Sequence, residues 1–237
     1  MYIKLILKVL SLFDYINKIK IINYFKKKKL SPDIFIDVGA HHGETIKVFN
    51  KNFKIKKYYA FEASPINFNI LKKNIKLNDY KSIELFNIAL GQKREKLFLN
   101  QSKESQSTTF LTLNEESKYY KKKKKILSPY SNNLILKKIE VDVDRLENLI
   151  EEKQIKNIDI LKIDTEGFEF EVIKGLGKKI QIIKYIYFEH HFDDMIKKNY
   201  KLSNIHDYLI KHNFFKVFKI KMMFRKTFEY IYYNKNL

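Results

Sequence analysis

Short apolar runs alternate with helical patterns along most of this chain. Ile34-Phe35-Ile36 has the length and apolar density of a short buried strand, and Ile46, Val48 and Phe49 follow it at helical spacing. The same reading predicts strands near 34–38, 57–62, 82–88, 158–163, 183–189, 213–219 and 228–233. Helical patterns fall near 44–52, 65–78, 144–153, 167–176 and 203–212, with Asp144 and Ser203 as expected N-caps. Such βα alternation implies a parallel sheet with helices on both faces. The last two strands, close in sequence, suit an antiparallel hairpin on that sheet. On periodicity alone the fold class is doubly wound α/β.

Two stretches depart from the alternation. Residues 1–30 read as an amphipathic basic helix or helix pair, with Ile6, Val9, Leu10, Phe13, Ile16 and Ile19 on one side. Lys4, Lys8, Asp14 and Lys18 interrupt its apolar runs, so it is too polar to span a membrane and lacks the pattern of a signal peptide. The expectation is a helix packed on the domain; the competing reading lays it on a membrane surface, with Lys26 to Lys29 facing anionic head groups. Residues 92–143 hold two strand-like runs, Lys96 to Asn100 and Lys138 to Val143, around a polar stretch. An insertion there sits at the carboxyl edge of the sheet and is the natural substrate lid. Its lysine run, Lys121 to Lys125, is expected to be a solvated, mobile loop. The organisation is therefore a basic helical extension, 1–30, followed by one domain, 31–237, for which the length leaves ample core.

Charge changes this picture less than its size suggests. The net charge is +20, but of 47 basic residues only Arg94, Arg145 and Arg225 are arginine. Phosphate and base recognition favours the planar, bidentate guanidinium, so the lysine bias weighs against nucleic acid as partner. A basic chain still attracts acidic glycans, nucleotide-linked sugars or anionic lipid. The absence of cysteine excludes disulfides and thiolate metal sites and is compatible with a reducing compartment. The expected location is cytoplasmic, with peripheral contact at the inner face of a membrane through residues 1–30.

The candidate chemistry begins at Asp37-Val38-Gly39-Ala40-His41-His42-Gly43-Glu44-Thr45, a strand that turns through glycines into a helix start. Glycines let backbone approach a ligand, and the helix N-terminus presents free N–H groups. Glu62 ends the next apolar run, Tyr58 to Phe61, where an acidic side chain can hold a ribose diol. Gly39 and Gly43 are four apart, not the spacing of the dinucleotide fingerprint. Asp37 at the strand end would repel a pyrophosphate and suits a cationic cofactor. Those features favour S-adenosyl-L-methionine, with its ammonium and sulfonium, over NAD.

A third segment, Ile158 to Ile163 followed by Asp164-Thr165-Glu166-Gly167, is an apolar strand ending in two carboxylates and a glycine. With Phe61-Glu62-Ala63-Ser64-Pro65, Asn87-Ile88-Ala89-Leu90-Gly91, Lys162 to Glu169 and Glu189-His190, the chain resembles the FkbM family of S-adenosylmethionine-dependent methyltransferases over about residues 33–195. The family usually has Asn where His41 stands and Pro where Ala63 stands. The resemblance implies a Rossmann-like seven-stranded sheet of order 3-2-1-4-5-7-6, and sugars, lipid-linked glycans or secondary metabolites as acceptors. On the donor side Asp37 would face the amino group, Gly39, Ala40, His41, Gly43 and Thr45 would wrap the amino-acid portion, and Glu62 would accept from the ribose. Ala63 and Ala89 lie where adenine should sit, and the Ser107 region closes over the donor.

Methyl transfer to a hydroxyl needs alignment, exclusion of water and a base. Asp164, Glu166, Glu189, His190 and His191 are the catalytic candidates, with His190 or His191 as base and Glu189 orienting it. Asp164, Glu189, His190 and Asp193 offer hard and imidazole ligands, but their spacing is not diagnostic and no metal is assigned. The expected activity is O-methylation of a hydroxyl on a sugar, glycan or small metabolite. Two rivals stand beside it. A nucleic-acid methyltransferase draws on the charge and the 16 Tyr and 19 Phe, yet Ser128-Pro129-Tyr130 lacks the second proline of the amino-methylating signature. The other is a non-catalytic basic membrane- or glycan-binding protein that keeps the fold.

Overall fold

A computed structural model of the chain describes residues 2–78, 80, 82–103, 105–127 and 134–237. Ser128-Pro129-Tyr130 lies outside the described residues. Among these, seven strands form one sheet of order β3-β2-β1-β7-β8-β10-β9, and three form a second, β4-β6-β5. The large sheet comprises β1 (Ile34–Val38), β2 (Lys57–Phe61), β3 (Ile83–Phe86), β7 (Ile158–Ile163), β8 (Ile183–His191), β9 (Phe214–Lys221) and β10 (Thr227–Asn234). Its first five strands pair in parallel, and β10 is antiparallel to both β8 and β9. This is the seven-stranded, Rossmann-like methyltransferase order that the resemblance implied, with the terminal hairpin in its expected place.

The central strands are buried on both faces, which is why β1, β7 and β8 read as nearly continuous apolar runs. Ile36, Val38, Leu161, Ile163, Ile186 and Phe188 face one core, with Leu146, Val172, Ile205 and Leu209 from the helices on that side. Phe35, Ala60, Ile160, Tyr185 and Tyr187 face the other, against Ile46, Phe49, Leu71 and Ile75. Each fully buried side chain of this size contributes about 1.5–3 kcal/mol relative to exposure.

The helices are α1 (Tyr2–Lys27), α2 (Glu44–Asn52), α3 (Pro65–Leu77), α4 (Lys118–Leu127), α5 (Leu146–Glu152), α6 (Glu169–Lys174) and α7 (Leu202–Lys211). The two expected N-caps are corrected. Arg145 and Lys201 occupy the cap positions, and Asn204 rather than Ser203 bonds back to the Lys201 N–H. Asp144 accepts instead from the Arg145 N–H and the Asn148 side chain. The helix expected over 167–176 shortens to α6 and continues as a 3-10 segment over Gly177–Ile182.

The insertion is more ordered in its pairing than the sequence suggested. β5 (Glu95–Ser102) and β6 (Ile135–Asp144) run antiparallel, and β4 (Ala89–Leu90) adds to β6 in parallel. The lysine run is not a loop: Lys121 to Lys125 lie on α4, and Lys123 donates to the Ser107 hydroxyl.

The N-terminal helix packs differently from its expected apolar face. Asn17, Ile21, Ile22 and Phe25 are buried against the second core, whereas Val9 and Ile16 are exposed. Asn17, Ile21 and Phe25 recur every four residues, and Ile22 widens the stripe they form on the helix surface. No helix among the described residues is long and apolar enough to cross a membrane.

Candidate functional site

The turn from β1 into α2 is built by backbone. Gly39 has φ +76°, and a Cβ there would lie 1.8 Å from the Asp164 carbonyl oxygen, so only glycine lets β7 pass. His41 and Gly43 also have positive φ. The Gly39 and Ala40 N–H groups both donate to the Phe61 carbonyl, which ties the turn to the end of β2.

Glu62 completes that tie. Its carboxylate accepts from the His41 N–H at 2.8 Å and from the Ser64 N–H at 2.9 Å. Ser64 caps α3 by accepting from the Asn67 N–H, and Pro65 follows at the first helical position. Burial lifts the Glu62 carboxyl above its ordinary range, although these donors oppose the shift. His41 reaches in two directions, to Glu44 at 3.1 Å and to the Ser105 hydroxyl of the insertion at 2.8 Å. The residue that departs from the family pattern thus bridges the glycine turn to the insertion.

A cavity of about 480 Å³ opens at the carboxyl ends of these strands. Gly39, Ala40, His41, Thr45 and Glu62 line it, and Ala63, Ile88, Ala89, Leu99 and Phe110 give it an apolar slot. Asp164, Glu166 and Glu189 add carboxylates to its wall. Ser105, Gln106 and Thr108 contribute from the insertion, while Ser107 turns aside to Lys123. Gly43 does not line the cavity; a Cβ on it would meet Leu71 at 3.0 Å.

Asp37 is fully buried behind this surface, and its carboxylate pairs with Lys162 at 3.0 Å. Asp37, expected to face a ligand amino group directly or through water, is here half of an internal ion pair and does not line the cavity. Lys162 also reaches Asp164 at 3.4 Å and donates to the Gly39 carbonyl at 3.1 Å. Burial opposes ionisation of Asp164, and the Lys162 ammonium outweighs it, holding that carboxyl below the usual range. A buried cation with three partners is a fastener for β1, β7 and the glycine turn.

A second charged cluster surrounds His191. His191 Nε2 lies 3.3 Å from Glu166 and 3.2 Å from Glu189, and Nδ1 faces Asp193 at 3.5 Å. Burial alone would push this imidazole down; the Glu166, Asp193 and Glu189 carboxylates outweigh it and hold it well above its ordinary range. Burial lifts Glu166 to about 7, with Glu189 and Asp164 adding to the shift and His191 opposing it. Glu166, Glu189 and His191 also bring their ligand atoms within 4.8 Å of one another, close enough to hold a metal ion.

His190 does not join them. Successive residues of a strand point to opposite faces, so Glu189 and His191 share one face and His190 the other. Its ring sits against Phe192 and Tyr200, and burial lowers it to about 3. The alternation turns His190, one of the two histidines expected as base, away from Glu189 and His191. His191 does not line the cavity either; the two carboxylates it pairs with do.

Three features escaped sequence reading. Lys162 had a signal: a lone cation inside an apolar strand needs a buried partner, and Asp164 stands two residues on, on the same face. Glu169 stabilises the Asp164–Gly167 turn, accepting from the Thr165 and Gly167 N–H groups. Ser11, Asp14, Tyr15 and Lys18 of α1 line the cavity, so the extension forms part of its wall. Asp14 is held there by Arg225, from the turn between β9 and β10, at 3.0 Å.

Comparison with known proteins agrees with this geometry. Residues 37–216 match the Methyltransferase FkbM domain family. Methyltransferase sdnD of Sordaria araneosa is 26% identical over 163 residues, covering 63% of this chain and 62% of that protein. Methyltransferase 1 of Beauveria bassiana is 26% identical over 148 residues, covering 60% and 57%. The matched stretch is thus about three fifths of the length of these relatives. Among solved structures, a methyltransferase FkbM from Methylobacillus flagellatus superposes with TM-score 0.57 at 13% identity, covering 86% of this chain and 43% of that one. TrmK of M. capricolum, solved with S-adenosyl-homocysteine, gives TM-score 0.50 at 14% identity, covering 87% and 65%. At these identities the structural likeness establishes the fold.

Proposed function

The chain belongs to the FkbM family of methyltransferases, and from that premise we propose that it moves the methyl group of S-adenosyl-L-methionine to a hydroxyl of a sugar, glycan or small metabolite. The observation that carries the reading is the pair Glu166 and Glu189, which line the same cavity as the glycine turn and Glu62.

The residues present suit that cofactor chemically. Glu62 keeps carboxylate lone pairs beyond its two N–H donors for a ribose diol. The slot of Ala63, Ile88, Ala89, Leu99 and Phe110 suits a purine face. Asp164 offers a carboxylate to a cationic group while remaining anchored by Lys162. When bound, the cofactor supplies an electrophilic methyl group on a sulfonium.

The chain's own part is positioning and proton handling. Glu166, lifted to about 7, is matched to take a hydroxyl proton near neutral pH. His191 touches both Glu166 and Glu189 from behind, fixing their orientation and balancing the charge that gathers there. The wall from α1 and the insertion shields the reacting atoms from water. A base so placed typically contributes about 10²–10⁴-fold.

Titration calorimetry with S-adenosylmethionine and S-adenosylhomocysteine, beside NAD, tests the cofactor. Binding of the methyl compounds is expected, weakened about ten- to a hundredfold by Glu62→Ala, the worth of a charge-assisted hydrogen bond. Folded, ligand-free protein that binds neither compound would sink the reading. Methyl transfer confined to amine acceptors would sink the hydroxyl assignment alone.

A further inference from the structure

The N-terminal helix carries two different faces. Ser11, Asp14 and Lys18, at i, i+3 and i+7, line the cavity, and Asn17, Ile21 and Phe25 continue that side into the core. Val9, Leu12 and Ile16 repeat the same spacing on the opposite side, where they are 44%, 57% and 37% exposed. A helix needs only one apolar stripe to pack on a domain, so the second is left without an internal purpose.

The tip of the β9–β10 hairpin extends this stripe. Phe224 is 75% exposed and Met223 42%. The Phe224 ring packs edge-on against Phe13 of α1 at 5.2 Å, and Arg225 beside it holds Asp14 at 3.0 Å. Helix and hairpin tip therefore present one joined apolar surface.

Charge identifies what it meets. The helix carries Lys4, Lys8, Lys18, Lys20, Lys26 and Lys27, with Asp14 as its one acidic residue. Arg225 neutralises Asp14 on the inward side, so no helical carboxylate opposes an anionic surface. Lys20 and Lys27 follow Val9 and Ile16 on the outward side and are exposed. Aliphatic and aromatic side chains flanked by lysines, on a helix unable to span, are the composition of a segment lying in a lipid interface.

We propose that the outward face of α1, with the β9–β10 tip, docks on an anionic lipid bilayer. Docking would set the cavity wall one helix diameter, about 10 Å, from the bilayer surface. The surface stands whether or not the hydroxyl acceptor is correctly assigned.

The chain has no tryptophan, so a single Leu12→Trp provides a clean fluorescence probe. Its emission is expected to shift to the blue with phosphatidylcholine–phosphatidylglycerol vesicles and not with phosphatidylcholine alone. Leu77→Trp, at a 73% exposed site on α3, is expected to stay unshifted in both. Wild-type protein should float with the anionic vesicles at low salt, and Leu12→Glu with Phe224→Glu should weaken that flotation about tenfold or more. Both sites are exposed, so circular dichroism should be unchanged in the variant and the melting temperature lowered by no more than the loss of the Phe13–Phe224 contact.

Flotation unaffected by the two glutamates would show that overall charge alone attracts the lipid, and overturns the proposal. Absence of flotation by wild-type protein overturns it equally. A dimer in sedimentation velocity that the glutamates dissociate would make a second copy the occupant, and the bilayer assignment falls.

Discussion

Two regions at the cavity are held by different physics. Where Gly39, Ala40, His41 and Glu62 meet, backbone N–H groups do the work, tying the turn after β1 to the end of β2. Around Lys162 on β7, Glu166 in the turn that follows it, and Glu189 and His191 on β8, charge does the holding. The first region depends on space and tolerates little added volume. The second depends on charge balance and is most sensitive to loss of its buried cation. Substitutions that add one atom, or remove one charge, should therefore separate them.

Three substitutions sharpen this contrast, ranked by their effect on folding. Gly39→Ala drives a methyl group into the Asp164 carbonyl at a positive φ. Two core strands must then part, and a loss upwards of about 4–5 kcal/mol is expected, in the exceptional tail of point mutations. Urea denaturation reads it directly; a near-native midpoint would show that the turn has room the geometry denies.

Lys162→Met comes next. It removes the cation and leaves Asp37 buried without a partner, at a cost of about 3–5 kcal/mol. Restoring much of that stability with Asp37→Asn in the same chain would identify the stranded carboxylate as the cause. Equal losses in the single and double variants would point to packing instead.

Glu166→Gln should hardly move the melting temperature, since its neighbours remain. Turnover is expected to fall about 10²–10⁴-fold, with cofactor affinity unchanged. The pH profile gives the sign. A base must be deprotonated to act, so wild-type kcat/KM should rise with pH and level off above about 7. In the variant that rise should vanish. A profile flat from acid to neutral pH in wild-type enzyme would remove Glu166 from the role.

How much of this was legible in the sequence follows the same divide. Gly39, Glu62 and the strand–turn–helix around them were readable because glycine at a strand-to-helix turn and an acid at the next strand end are recognisable from residue type and spacing alone. The sheet order followed from the family resemblance, and periodicity located the strands that compose it. Asp164, Glu166 and Glu189 were readable as strand-end carboxylates. Their division of labour was not, because it rests on which face of β8 each side chain takes and on burial by distant elements. The strand alternation separating His190 from His191 was in principle available from sequence. Which of the two faces met the cavity was not.

The insertion and the first helix show the limit most clearly. Lysines in a row look alike in a loop and in a helix, and the contact of Lys123 with Ser107 that ties α4 to the insertion could not be read from the run itself. Residues 1–30 were readable as a basic helix carrying apolar residues, but the stripe that packs is not the one the sequence picked out. The sequence by itself determined the class of fold through apolar periodicity, the family through the motifs it resembles, and the glycine turn through local sterics. Tertiary structure decided which charges neutralise one another and which face of α1 turns inward, because Coulomb energy and burial depend on distances between segments that the chain order does not encode.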